Sequence, residues 1–175
     1  MPMLARRSSH RLIDPAAMTE IAPPEDQSFL EPGPLTDGQI SLVLARRQKP
    51  DPVRGWCRAY YFEIRLAASN APIGQISFRA GRSHTLDYYS GHIGYGIHEP
   101  ARGRHFAEKA VRLLLPFIRR HAYSVIWITC NPDNLASRRT CERLGAEFVE
   151  VVPLPPDNDM YLSGERYKCR YRLAL

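Results

Sequence analysis

Arg102-Gly103-Arg104-His105-Phe106-Ala107 is the stretch whose residue types and spacing most directly imply chemistry. Residues 92–97 before it read as an extended, half-apolar segment, and Pro100 keeps Glu99 out of a helix. From about Arg104, apolar Phe106, Ala107, Ala110, Val111 and Leu114 recur at helical spacing. A strand that enters a helix through a short, basic, glycine-containing turn leaves several backbone N–H groups unpaired at the positive end of the helix dipole. Such a turn holds a phosphate or pyrophosphate. The same residues also suit an ordinary strand-to-helix turn with a solvated basic face, and one Arg-Gly pair does not choose between the two.

The elements that must position this turn come from a chain of 175 residues, long enough for one domain with a real core. No apolar run approaches the ~20 residues that span a bilayer, so no membrane association is expected. The first twenty residues carry Arg6, Arg7 and Arg11 without the apolar stretch of a secretory signal. An unpacked tail is the expectation, with an organellar transit peptide left open by the Arg and Ser content. A net charge of +6 suits a polyanion, and a nucleic acid or a phosphorylated cofactor would serve equally. Cys57, Cys130, Cys141 and Cys169 show neither a CxxC pair nor metal-ligand spacing, so no metal is expected. Free thiols in a reducing compartment place the protein in the cytoplasm.

Residues 1–35 are proline-rich and aperiodic and read as a flexible arm, with Phe29 and Leu30 as the residues that would dock. Residues 36–175 read as the folded domain. Alternation predicts strands beginning near Ile40, Ala59 and Ile73, a polar loop over 81–89, and a fourth strand over 92–97. A helix follows from about Arg104 to Arg120, with a kink expected at Pro116. The run Val125-Ile126-Trp127-Ile128-Thr129 reads as a strand buried on both faces in parallel pairing. Asn131-Pro132-Asp133 reads as the start of a second helix that ends at Gly145. Strands over 146–152 and 167–173 close the sheet. In the latter, Arg and Tyr alternate, which would fit nucleic-acid binding but reads better as one packed and one solvated face, so no nucleic acid is expected.

At this point the chain resembles the GNAT superfamily of N-acetyltransferases over roughly residues 38–175. The acyl-CoA motif of that family, Gln/Arg-x-x-Gly-x-Gly/Ala, is matched by Arg102 to Ala107 at a strand-to-helix turn. The later block is matched by Asn134-Leu135-Ala136-Ser137 and Cys141-Glu142-Arg143-Leu144-Gly145. The resemblance implies an α/β (α+β) fold: a mixed, mostly antiparallel sheet of six to seven strands with helices on both faces. Only residues 49–56 join the first two strands, where the family commonly inserts two helices. The acceptor pocket is therefore expected to be open, or completed by the 153–166 loop or by a second subunit, as in a homodimer. His105 stands where the family usually has Gly, and a helical backbone is expected to tolerate it. Cys141 stands where many members have the Tyr that protonates the departing thiolate.

The resemblance implies transfer of an acetyl group from acetyl-CoA, as co-substrate, to a primary amine by direct attack. The acceptor would be a small-molecule amine or a protein N-terminus. Cofactor contacts would fall to the backbone at Ile97 and His98, the segment Gly103, Arg104, His105, Phe106 and Ala107, the charge of Arg102, and Asn134. Asn134 also suits a simple helix cap. His92, with an ordinary pKa near 6.5, is the candidate base, with Glu63 or a water chain as substitutes. Cys141 is the candidate acid, although a small helix-face cysteine also suits plain packing. A catalytically silent acyl-CoA-binding regulatory protein is the alternative.

Overall fold

The computed structural model describes residues 29–175. Seven strands form one sheet: β1 (Ile40–Gln48), β2 (Arg58–Leu66), β3 (Pro72–Ala80), β4 (Ile93–Ile97), β5 (Val125–Cys130), β6 (Glu147–Pro153) and β7 (Tyr167–Ala174). Their spatial order is β1-β2-β3-β4-β5-β7-β6, antiparallel throughout except between β4 and β5. Helix α1 (Phe106–Arg119) crosses from β4 to β5, α2 (Leu135–Leu144) from β5 to β6, and the short α3 (Asp159–Leu162) lies before β7.

Residues at period two build the core face of the sheet: Tyr60, Phe62 and Ile64 of β2, Ile76 and Phe78 of β3, Ile93 of β4, Ile126 and Ile128 of β5. Helix α1 covers them with Phe106, Ala110, Val111, Leu114, Phe117 and Ile118, a single apolar stripe. The helix continues through Pro116 to Arg119. Cys141 and Leu144 of α2 join the same core. The opposite face carries a π-helical turn, Leu86–Ser90, inside the segment expected to be a polar loop.

That turn explains two further departures from expectation. Strand β5 pairs along its whole length with β7, antiparallel, and meets β4 in parallel at one register pair, Ile93 with Ile128. The expected parallel pairing is therefore confined to one rung, and of the two faces expected to be buried one is fully buried and the other half-buried. In β7, Lys168 and Arg170 are buried, where alternation suggested a solvated face. Arg170 lies between the rings of Tyr88 (3.8 Å) and Trp127 (4.2 Å). Its Nε donates to the Asp87 carbonyl (3.1 Å) and its Nη1 pairs with Glu150. The π-helical turn is thus clamped to the sheet by a buried cation, an arrangement alternation cannot announce because its partners lie 20 to 83 residues away.

Helix α2 begins at Leu135, with Asn134 as its cap: the Asn134 Oδ1 accepts from the Ser137 amide at 3.0 Å. Asn131 does not cap it, because its carbonyl accepts from the Asn134 amide in a preceding turn and its Oδ1 accepts from Lys168 (2.8 Å). Gly145 ends the helix in the left-handed conformation, as its sequence position implies.

Residues 29–35, assigned by sequence to the arm, lie against the domain. Phe29 meets Tyr60 edge-on at 5.3 Å, the Leu30 amide donates to the Tyr60 hydroxyl (3.0 Å), and the Leu35 carbonyl accepts from Leu42 (2.9 Å). The rest of the arm, 1–28, lies outside the described residues. Among those described, no helix is long and apolar enough to cross a membrane.

Replacing Arg170 with Met would leave Glu150 without its cation and the π-helical turn without its clamp. Urea unfolding of Arg170→Met should show a loss of roughly 1–2 kcal/mol, the scale of the lost ring contacts and carbonyl hydrogen bond, because the Glu150 left behind is 46% exposed. A change below about 0.5 kcal/mol would show that the clamp is not needed.

Candidate functional site

The strand-to-helix turn has the geometry of an anion cradle. Gly103 sits at φ 79° and His105 at φ 59°, ψ 20°, both left-handed. The helical backbone expected at His105 is therefore not what forms. A position the related family fills with glycine keeps its glycine-like conformation here, at about 1 kcal/mol for a side chain with a Cβ. The effect is to start α1 at Phe106 and to aim the turn outward. The amides of Gly103 through Glu108 find no acceptor among the described residues, while the Lys109 amide is the first to close a helical bond, onto the His105 carbonyl (3.1 Å). Six consecutive amides without an acceptor among the described residues, with Arg102 and Arg104 exposed beside them, could hold a pyrophosphate. At the adjoining strand end, the His98 amide donates to Ile73 (2.8 Å) and Arg102 Nε donates to the Ile97 carbonyl (3.1 Å).

Beyond Ile93 the strands β4 and β5 diverge, and a cavity of about 320 Å³ opens between them. It is lined from β4 by Gly94 and Tyr95, from β5 and the turn after it by Thr129, Cys130 and Asn131, and from α2 by Asn134 and Ser137. Arg79, Ser90, Glu165 and Lys168 complete its other side. Asn134 therefore both caps α2 and faces the cavity.

Cys141 lies one layer behind this wall, fully buried, and burial pushes its thiol up to about 12. The Tyr95 hydroxyl lies 2.9 Å from Ser137 Oγ. Burial raises the Tyr95 phenol well above its ordinary range, so it too stays protonated. The α2 position where the resemblance expects a tyrosine thus holds a buried thiol, and Tyr95 of β4 is the tyrosine beside Ser137 in the cavity wall.

His92 is placed on the other face of the sheet, 2% exposed, and does not line the cavity. Its backbone amide donates to the Trp127 carbonyl (2.7 Å), and its Nδ1 accepts from the Trp127 amide (3.0 Å). The backbone amide and the ring of His92 together engage both backbone groups of Trp127 at the point where the two strands part. Nε2 lies 3.7 Å from Asp87 Oδ1. Burial lowers its pKa to about 4, with Arg82 and Arg79 adding repulsion. Glu63, the substitute base, pairs with Arg65 (2.6 Å) away from the cavity. Glu165 is the one carboxylate lining the cavity among the described residues, paired there with Lys168. Tyr95, Arg79 and Glu165 escaped the sequence reading, and Ser137 entered it only as a member of the Asn134–Ser137 block, without a role. The one local signal was a tyrosine between two strand glycines, Gly94 and Gly96.

A family described as the acetyltransferase (GNAT) domain matches residues 9–147. Among solved structures, a Vibrio cholerae protein proposed to be a ribosomal-protein-serine acetyltransferase aligns at TM-score 0.61 and 15% identity, over 83% of this chain and all of the other. RimL, a ribosomal-protein alpha-N-acetyltransferase solved with coenzyme A in a disulfide with one of its cysteines, aligns at TM-score 0.58 and 16% identity, over 81% and 97% of the two chains. The microcin self-immunity acetyltransferase MccE, solved with acetyl-CoA and AMP, aligns at 0.52 and 19%, over 67% and 61%. At these identities the structures establish the fold. No curated protein matches the chain by sequence.

His92 is protonated in the unfolded chain below about pH 6.5 but in the folded protein only near pH 4. Between those values the unfolded state binds the extra proton, so this residue makes stability fall as pH drops from 6.5 towards 4. Melting temperatures across that window should fall more steeply for the wild type than for His92→Gln. Parallel curves would show that the imidazole is not held neutral.

Proposed function

The chain belongs to the GNAT acetyltransferase family, and on that premise we propose that it is an N-acetyltransferase using acetyl-CoA and a primary amine. The observation that carries this reading is the run of six amides, Gly103 to Glu108, that have no acceptor among the described residues and lie between β4 and α1. The amides and Arg102 and Arg104 bind the pyrophosphate, and the divergence of β4 from β5 admits the acyl-bearing arm. Asn134 orients that arm from the start of α2. Names among the structural relatives that specify ribosomal-protein acetylation favour a protein N-terminus as acceptor over an unrelated small amine.

The amine nitrogen bonds to the thioester carbonyl carbon, the carbon–sulfur bond breaks, and the nitrogen loses a proton. We assign that proton to Glu165, directly or through water, because it is the carboxylate in the cavity wall. The departing thiolate takes a proton from the Tyr95 hydroxyl, which is neutral at working pH and backed by Ser137. Cys141, buried outside the cavity wall, does not act on the thiolate itself. His92 holds the strands at the origin of the cavity. Homodimer formation and a cytoplasmic location belong to the same proposal, the first supported by the short connection between β1 and β2 and the second by the four free thiols.

Thiol release from acetyl-CoA across a panel of amines and peptide N-termini tests the proposal, since a silent acyl-CoA-binding protein would release none. Tyr95→Phe should lower kcat by roughly 10²-fold, the scale of positioned acid catalysis, whereas Cys141→Ala should stay within a few-fold. The reverse order would move the acid to the cysteine. Gly103→Pro, which removes one cradle amide, should abolish the rise in melting temperature on adding acetyl-CoA. An undiminished rise would put the phosphates elsewhere.

A further inference from the structure

We infer that the acceptor carries an anionic group close to its reacting amine, and that Arg79 is the residue that binds it. This rests on the acetyltransferase reading of the cavity and specifies its acceptor class. The charged side chains lining the cavity are Arg79, Glu165 and Lys168. Lys168 is satisfied: it pairs with Glu165 and donates to Asn131 Oδ1 at 2.8 Å. Arg79 is not. Its Nη1 donates to the carbonyls of Ser90 (3.4 Å) and Gly91 (3.2 Å), but no carboxylate lies within 4.0 Å among the described residues. Its Nε and Nη2 have no acceptor among those residues.

A half-buried guanidinium that faces a cavity without a counter-ion is an anion receptor with donors to spare. The backbone is shaped to keep it there. It lies across Gly94, where an added Cβ would come within 3.2 Å of its Nη2. Its two loop carbonyls belong to the end of the π-helical turn that Arg170 clamps to the sheet. The three charges leave the cavity with one net positive charge, arithmetically two cations against one carboxylate. Glu165 offers a place for the acceptor's ammonium group, and Arg79 a place for its anion. A volume of about 320 Å³ admits an amino-acid-sized molecule or the first residue of a peptide. The shared chemistry is an amine beside a carboxylate, supplied either by a free amino acid or by a protein N-terminus followed by an acidic side chain.

The test uses the full chain, acetyl-CoA and matched acceptors, with rates referred to the unprotonated amine. One arm compares amino acids with their amides, and the other compares peptides with Asp or Asn at the second position. In one arm, kcat/KM should favour the anionic member by roughly tenfold or more, the scale of a charge-assisted hydrogen bond. The favoured arm identifies the source. Arg79→Gln should bring that ratio close to one through KM, and Arg79→Lys should keep part of it. Gly94→Ala, whose methyl displaces the guanidinium without removing its charge, should also reduce the ratio, and it decides the matter if Arg79→Gln does not fold. Ratios below twofold in both arms, or a ratio that survives both Arg79→Gln and Gly94→Ala, overturn the inference and leave the transferase reading standing. No turnover of any acceptor overturns the transferase reading and this inference with it.

Discussion

Strands β4 and β5 touch at one rung, and the rest of the molecule is arranged around their parting. At that rung both backbone groups of Trp127 are engaged by His92, one by its amide and one by its ring. The ring must be neutral for Nδ1 to accept, and burial keeps it so. Past the rung the sheet has no ladder to complete, so β4 and β5 expose groups that a regular sheet would pair. The cavity and the phenol lie along that opening, and the cradle lies between β4 and α1. Were the two strands paired to their ends, the core would be no worse packed, but no path would lead between them.

The parting also explains why the two faces of the sheet are covered so differently. Helices α1 and α2 bury the apolar face. The short connection between β1 and β2 supplies no helix, and over β5 and β7 the opposite face is covered by five residues of π-helical turn held by a cation between two rings. A covering so small needs strong directional contacts, because it buries little apolar area. The end of the same turn carries the carbonyls that position Arg79, 11 and 12 residues further along the chain, so the proposed acceptor recognition would depend on that clamp.

What the sequence revealed divides along the same line. The strands of the first half are legible because alternation is local, and the cradle is legible because its residues are consecutive. The family resemblance extended that reading to Asn134 and Cys141. The cavity was not legible, since Arg79, Tyr95, Ser137 and Glu165 come from four separate elements and meet only when the sheet splays. Tyr95 looks like any strand aromatic until the fold puts its ring on the cavity wall and leaves Cys141 out of it. Likewise Lys168 and Arg170 satisfy a pattern of surface alternation, and only long-range partners turn them into buried groups. His92 shows the converse: its ordinary proton affinity made it a natural base, and burial changed that affinity.

His105 holds a backbone conformation that most side chains enter at a cost, and this sets how the chain can drift over evolutionary time. Glycine, asparagine and aspartate occupy that conformation most readily, although aspartate would place a negative charge beside the proposed pyrophosphate site. Branched residues such as valine or isoleucine would force the turn to rearrange and rotate the free amides away. The position is therefore open to few neighbours in sequence space, even though its side chain is exposed to solvent and touches little. Homologous chains should show a surface site that varies sparingly for reasons of backbone geometry alone.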